Sequence, residues 1–168
     1  MWIFAFIPFF LQALAIGFDE MHFHYKRGLP KWERIGHPLD TLSLLICLIF
    51  VLVIPFSATA LKYYIGLAVL SCLMVTKDEF VHKHHCPAAE NWLHALLFIL
   101  HPITLAMTGL IWPIIQRVEM PLWLESWLNN RYALELFLYA QAFSITLFFL
   151  YQLIFWNLLW KNTPVTKC

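Results

Sequence analysis

Five apolar stretches, each near the length a helix needs to cross a bilayer, constrain this chain more than any other feature. About 20 apolar residues span the hydrocarbon core as a helix. The stretches fall at residues 2–18, 38–58, 60–76, 92–115 and 133–160. The first has no basic flank and no small-x-small cleavage signature, so it reads as a retained span rather than a secretion signal. Composition agrees: 61% of the chain is hydrophobic and 12% charged, against roughly 45–50% apolar and 25% charged in soluble domains. The expected fold class is an all-α integral membrane protein, a single transmembrane helical domain over residues 1–168 with about five helices. Residues 120–130, "MPLWLESWLNN", alternate Trp and Leu with polar groups and read as a segment lying in the membrane interface.

Charge and cysteine usage remove several classes of function. A net charge of +1 supplies no electrostatic footprint for nucleic acid. Cys47 and Cys72 lie inside apolar runs and no pair has CxxC spacing, so a disulfide framework is not expected. No nucleotide loop, flavin motif or CxxCH haem motif is present.

Five spans place the two termini on opposite faces. One face collects Lys26, Arg27, Lys31, Arg34, Lys77, Lys83, Lys161 and Lys167, the other only Lys62, Arg117 and Arg131. The positive-inside rule puts the basic face in the cytoplasm and the N-terminus outside, as expected in a bacterial inner membrane. All eight histidines lie in or beside the two connections on that basic face: His22, His24, His37, His82, His84, His85, His94 and His101. Asp19, Glu20, Glu33, Asp40, Asp78, Glu79 and Glu90 join them. Spans one and two share one connection and spans three and four the other. A bundle of four helices therefore brings these ends together at one depth.

The two halves, about 1–58 and 60–115, also resemble one another. "PKWERIGHPL" carries Glu33 and His37, and "PAAENWLHAL" carries Glu90 and His94, each Pro-x-x-Glu-x-x-x-His. Upstream, "FDEMHFH" aligns with "KDEFVHKHH". Glu20 and His24, like Asp78 and His82, are i,i+4 pairs; Asp19 and His22, like Glu79 and His82, are i,i+3 pairs. On a helix either spacing places both side chains on one face. An internal two-fold repeat is the expectation, with the site at the repeat interface.

Carboxylate and imidazole from four converging helices are the donor set of carboxylate-bridged dinuclear sites. The expected ligands are Glu20, His24, Glu33, His37, Asp78, Glu79, His82, Glu90 and His94, around two metal ions. Such donors suit iron first, then zinc or manganese. Asp19, His22, Asp40, His85 and His101 are expected as outer partners or additional ligands. Glu20 and Glu79 are the expected catalytic carboxylates. The donor set resembles that of histidine-rich membrane di-iron desaturases and hydroxylases. Those carry HxxxH and HxxHH patterns, whereas the nearest motif here is His82-x-His84-His85. The resemblance implies an oxidoreductase that acts on a lipid-soluble substrate at the cytoplasmic face, with electrons from a partner protein. Two alternatives stay open: a zinc-dependent membrane hydrolase, with Glu79 or Glu20 as base, and a non-catalytic metal-binding, transport or complex subunit.

Overall fold

The computed structural model describes residues 1–77 and 87–160, apart from the side chain of Arg27. It contains only helices and their connections among the described residues. A 3-10 turn over Trp2–Phe6 leads into α1 (Ile7–Phe18), which runs without a break into a π-helical segment, Asp19–His24, and a last short turn α2 (Tyr25–Arg27). Then come α3 (Lys31–Val53), α4 (Ala58–Thr76), α5 (Ala88–Ile115), α6 (Leu122–Trp127) and α7 (Arg131–Ile154), which closes in a second π-helical segment, Phe155–Leu159. Five helical stretches, beginning at Trp2, Lys31, Ala58, Ala88 and Arg131, are long and apolar enough to cross a membrane. The chain is an integral membrane protein by this criterion.

Local chemistry explains where the helices start and stop. Gly28 ends α2 at φ +74°, a conformation that costs glycine nothing. Pro30 and Pro87 occupy the N-cap positions of α3 and α5 with nearly equal torsions (φ −64°, ψ 158° and φ −67°, ψ 155°). Glu33 and Glu90 are then the third residues of their helices, and His37 and His94 the seventh. α3 stops at Val53, two residues before Pro55, which biases its predecessor toward extended backbone. Ser57 caps α4 by accepting from the Ala60 N–H at 3.1 Å.

Backbone groups that a helix cannot satisfy are met by side chains, as a low-dielectric setting demands. Pro38 inside α3 has no N–H for the carbonyl of Arg34, and the Asn157 side-chain amide donates to that oxygen at 3.3 Å. At the other end, the open connection after α3 is held by Gln116. Its Oε1 accepts from the Phe56 N–H at 2.6 Å, and its Nε2 donates to Ile54 O at 2.8 Å. Trp112 Nε1 donates to the same carbonyl at 3.0 Å.

α5 is the central helix and packs on α1, α3, α4 and α7, while α3 packs on both α4 and α7. The apolar core fills the half of the molecule away from the histidines: Cys47, Leu48, Val51, Leu105, Ile111 and Trp112 are all buried there. α6 and the residue that caps it send Leu124 and Leu128 into this core and leave Leu122 and Trp123 exposed, the pattern of a helix resting in an interface. Tyr64 of α4 crosses to α5, donating from its hydroxyl to Leu105 O at 2.6 Å. A Cβ at Gly109 would stand 3.0 Å from the Tyr64 ring. Gly109→Leu is therefore expected to destabilise the protein by about 1–3 kcal/mol, the usual cost of overpacking. Thermal unfolding in detergent checks this, and an unchanged midpoint would show that the α4–α5 contact has room to spare.

Candidate metal centre

Four helix ends and the last turns of α7 meet at the basic end of the molecule. The π-helical segment at Asp19–His24 decides which side chains face inward. At 3.6 residues per turn, positions five apart point roughly 140° from one another. The wider i→i+5 turn of a π-helix removes that offset, so Asp19 and Glu20 both stand against His24. His24 Nε2 lies 3.2 Å from Asp19 Oδ2, and His24 Nδ1 lies 3.1 Å from Glu20 Oε2. An α-helical reading pairs Asp19 with His22 instead. The structure turns His22 outward, where it stacks on Phe18 and meets Lys26 Nζ at 3.2 Å.

Glu90 and His94 arrive from the first two turns of α5. His94 Nε2 is 3.3 Å from Asp19 Oδ2, and Glu90 Oε1 is 3.8 Å from His24 Nε2. One donor atom from each of Asp19, His24, Glu90 and His94 falls within 4.8 Å of all the others. A second group, His24, Glu33 and His37, meets the same limit. The His24 and His37 rings lie 4.8 Å apart by centroid, and His37 Nε2 is 4.0 Å from Glu33 Oε2. The groups share His24, so they form one continuous cluster. Glu33 and Glu90, equivalent in the sequence pattern, are 1% and 0% exposed. Carboxylates are almost never buried so completely unless they are paired or coordinate a cation.

The spacings suit an ion. Ligands about 2.1 Å from one metal stand about 3.4 Å apart at the tetrahedral angle and about 3.0 Å apart at a right angle. The distances of 3.2, 3.3 and 3.8 Å within the first group lie on either side of the tetrahedral value and all exceed the right-angle one. Despite the short distance to Asp19, His24 Nε2 makes no hydrogen bond among the described residues.

Glu20 has its oxygens on different partners. Oε2 faces His24 Nδ1, and Oε1 accepts from Tyr151 at 2.8 Å and from the Trp156 indole at 2.6 Å. Hydrogen bonds to a charged group contribute about 1.5–3 kcal/mol each, enough together to offset a burial cost of several kcal/mol for one ion. Trp156 is 1% exposed and sits in the second π-helical segment.

Asp40 and His101 lie farther from the cluster, with partners of their own. Asp40 takes Lys77 Nζ at 2.7 and 2.8 Å. His101 joins a polar chain across four helices. Ser43 donates to Asp40 O, which leaves its Oγ to accept from Ser71 Oγ at 2.7 Å. Ser71 then accepts from His101 Nε2 at 2.9 Å, and His101 Nδ1 accepts from Gln12 Nε2 at 3.0 Å. The chain thus fixes His101 as a neutral imidazole protonated at Nε2. Asp78, Glu79, His82 and His85 lie outside the described residues.

A cavity of about 120 Å³ opens between this chain and the cluster. Asp19, Glu20, His24, His37 and His94 form its wall on the cluster side, Ile16, Leu44, Leu97, Phe98, Ile145 and Phe148 supply most of its apolar wall, and Gln12, Asp40, Thr41, His101 and Gln152 add further polar side chains. Its volume is close to the roughly 150 Å³ of an apolar cavity that holds benzene, but its lining is part polar and part apolar.

The residues that sequence reasoning missed are Tyr151, Trp156 and Gln12. Tyr and Trp near a span end read as interface anchors, and only their spacing of five at the inner end of the last span hinted otherwise. No protein-family model, no curated protein and no solved structure matches this chain.

Proposed function

We propose that this protein is a membrane-embedded dinuclear metalloenzyme, with iron the favoured metal, that oxidises a lipid-soluble substrate. The observation that carries the reading is one surface with two characters. Histidine and carboxylate donors form one wall of a cavity to which Ile16, Leu44, Leu97, Phe98, Ile145 and Phe148 present an apolar face. Asp19, His24, Glu90 and His94 would hold one ion, and Glu33 and His37 a second beside it. Glu90 would serve the first ion and Glu33 the second, in keeping with their equivalent places after Pro30 and Pro87 and with an internal repeat of the two halves. A bound iron pair would supply O2 activation, and electrons would come from a partner protein. The chain's own part is to hold the donors at one depth and to exclude water with Ile16, Phe98 and Phe148. The basic residues around the first connection favour the cytoplasmic face for the site.

A second reading has one specific support. The spacings in the Asp19, His24, Glu90 and His94 group also fit tetrahedral zinc, and zinc with an open position would make a hydrolase. Transport is less favoured, because the half of the bundle beyond the cavity is packed mainly with apolar side chains such as Leu48, Val51, Leu105, Ile111 and Trp112, and among the described residues no charged side chain is buried there. Elemental analysis of the purified protein with Mössbauer spectra separates these readings. Two irons per chain are expected. One or two zincs would move the assignment to the hydrolase, and metal-free protein of normal stability would end both.

A further inference from the structure

The fifth span contributes no histidine or acid to the cluster, yet two of its side chains end on Glu20. Tyr151 and Trp156 both donate to Glu20 Oε1, at 2.8 and 2.6 Å. The other oxygen of the same carboxylate lies 3.1 Å from His24 Nδ1. A carboxylate accepting from Nδ1–H fixes an imidazole as the tautomer whose Nε2 carries a lone pair. That Nε2 lies among Asp19 and Glu90 oxygens at 3.2 and 3.8 Å without hydrogen bonding to them, a setting in which a shared metal ion would join all three groups. We propose that Tyr151 and Trp156 are positioning residues that act through Glu20 to aim His24 Nε2 at a bound metal, so that the last helix tunes a centre it does not ligate.

This inference rests on the metal-centre reading above and adds a direction of force to it. The indole is wholly buried and cannot swing away. It is set by the π-helical segment Phe155–Leu159, which puts Trp156 five residues after Tyr151 on the same carboxylate oxygen. Glu20 itself is set by the other π-helical segment. Each irregular turn therefore orients one half of the same hydrogen-bonded relay.

Titration of the metal-stripped full chain in detergent with Co(II), followed by its visible absorption, tests the proposal. Partners of this kind are worth 10- to 100-fold in metal affinity. Glu20→Gln is expected to weaken Co(II) binding within that range and to alter the absorption band. Tyr151→Phe and Trp156→Phe are expected to weaken it less, in the same direction. In a Glu20→Gln background Tyr151→Phe should add nothing, because the two act in series; a purely structural loss would add. Leu138→Val, at a buried position of the same helix in the apolar core away from the cluster, serves as the packing control and should bind as the wild type does. Wild-type Co(II) affinity and spectrum in Glu20→Gln and Tyr151→Phe would overturn the inference and leave the metal centre standing. So would an equal loss in Leu138→Val. Absence of Co(II) binding by the wild type would instead remove the metal-centre reading itself.

Discussion

Replacement of Glu33 and Glu90 together by alanine is expected to leave the purified protein without metal. Each carboxylate belongs to one of the two donor groups, and each is almost wholly buried. Apparent binding energies of about 10–16 kcal/mol for four-ligand structural zinc correspond to about 3 kcal/mol, or roughly 100-fold in affinity, per ligand. Losing one ligand from each group compounds that factor. The stability of the metal-free protein should move the other way or not at all, because a buried carboxylate costs several kcal/mol when its compensating charge is missing. Metal content by elemental analysis and thermal unfolding of the stripped protein are the two measurements. Full metal content in the double variant would reject the ligand role, and with it the equivalence of the two Pro-x-x-Glu-x-x-x-His segments.

His24→Ala is expected to empty the whole cluster, since His24 is the one residue common to both groups. His37→Ala touches only the second group and should lower metal content by about half under the two-ion stoichiometry. His22→Ala, two residues from His24 and exposed against Phe18, should leave content unchanged. The three variants form a graded series, all, half and none, read by metal content per chain. Equal losses in His22→Ala and His24→Ala would mean that residues 19–24 do not hold the π-helical turn that separates them.

Much of this architecture was legible beforehand for a simple reason. A bilayer leaves unsatisfied backbone no water to bond, so a long apolar run has one stable form, and its length can be counted. The same logic set the depth of the histidines, because Glu33, His37, Glu90 and His94 lie at the starts of their spans. Their shared inward face followed from i,i+4 spacing. The spacing argument failed where the helix ceased to be α-helical. Asp19 reaches His24 across five residues, and His22 leaves the site, only because one turn widens. Nothing in "DEMHFH" marks that widening.

Glu20 shows the other limit. Its spacing to His24 made it a natural ligand or base, and in the structure its oxygens meet His24, Tyr151 and Trp156. Those donors lie 131 and 136 residues away along the chain, beyond any local pattern. The polar residues of the last span looked isolated for the same reason, yet Gln152 accepts from Thr41 at 2.7 Å and Asn157 serves the carbonyl opened by Pro38.

The sequence by itself determined that this chain has five helices long and apolar enough to cross a membrane and that, among the described residues, His24, His37 and His94 gather with Asp19, Glu20, Glu33 and Glu90 at one end of them. Hydrophobic length and helical period are local quantities, readable along a single segment. Only the tertiary structure decided which carboxylates face a common point, which one orients a histidine, and that a cavity lies alongside. Those outcomes depend on how wide particular turns are and on which helices touch, and both are settled by packing between residues far apart in the chain.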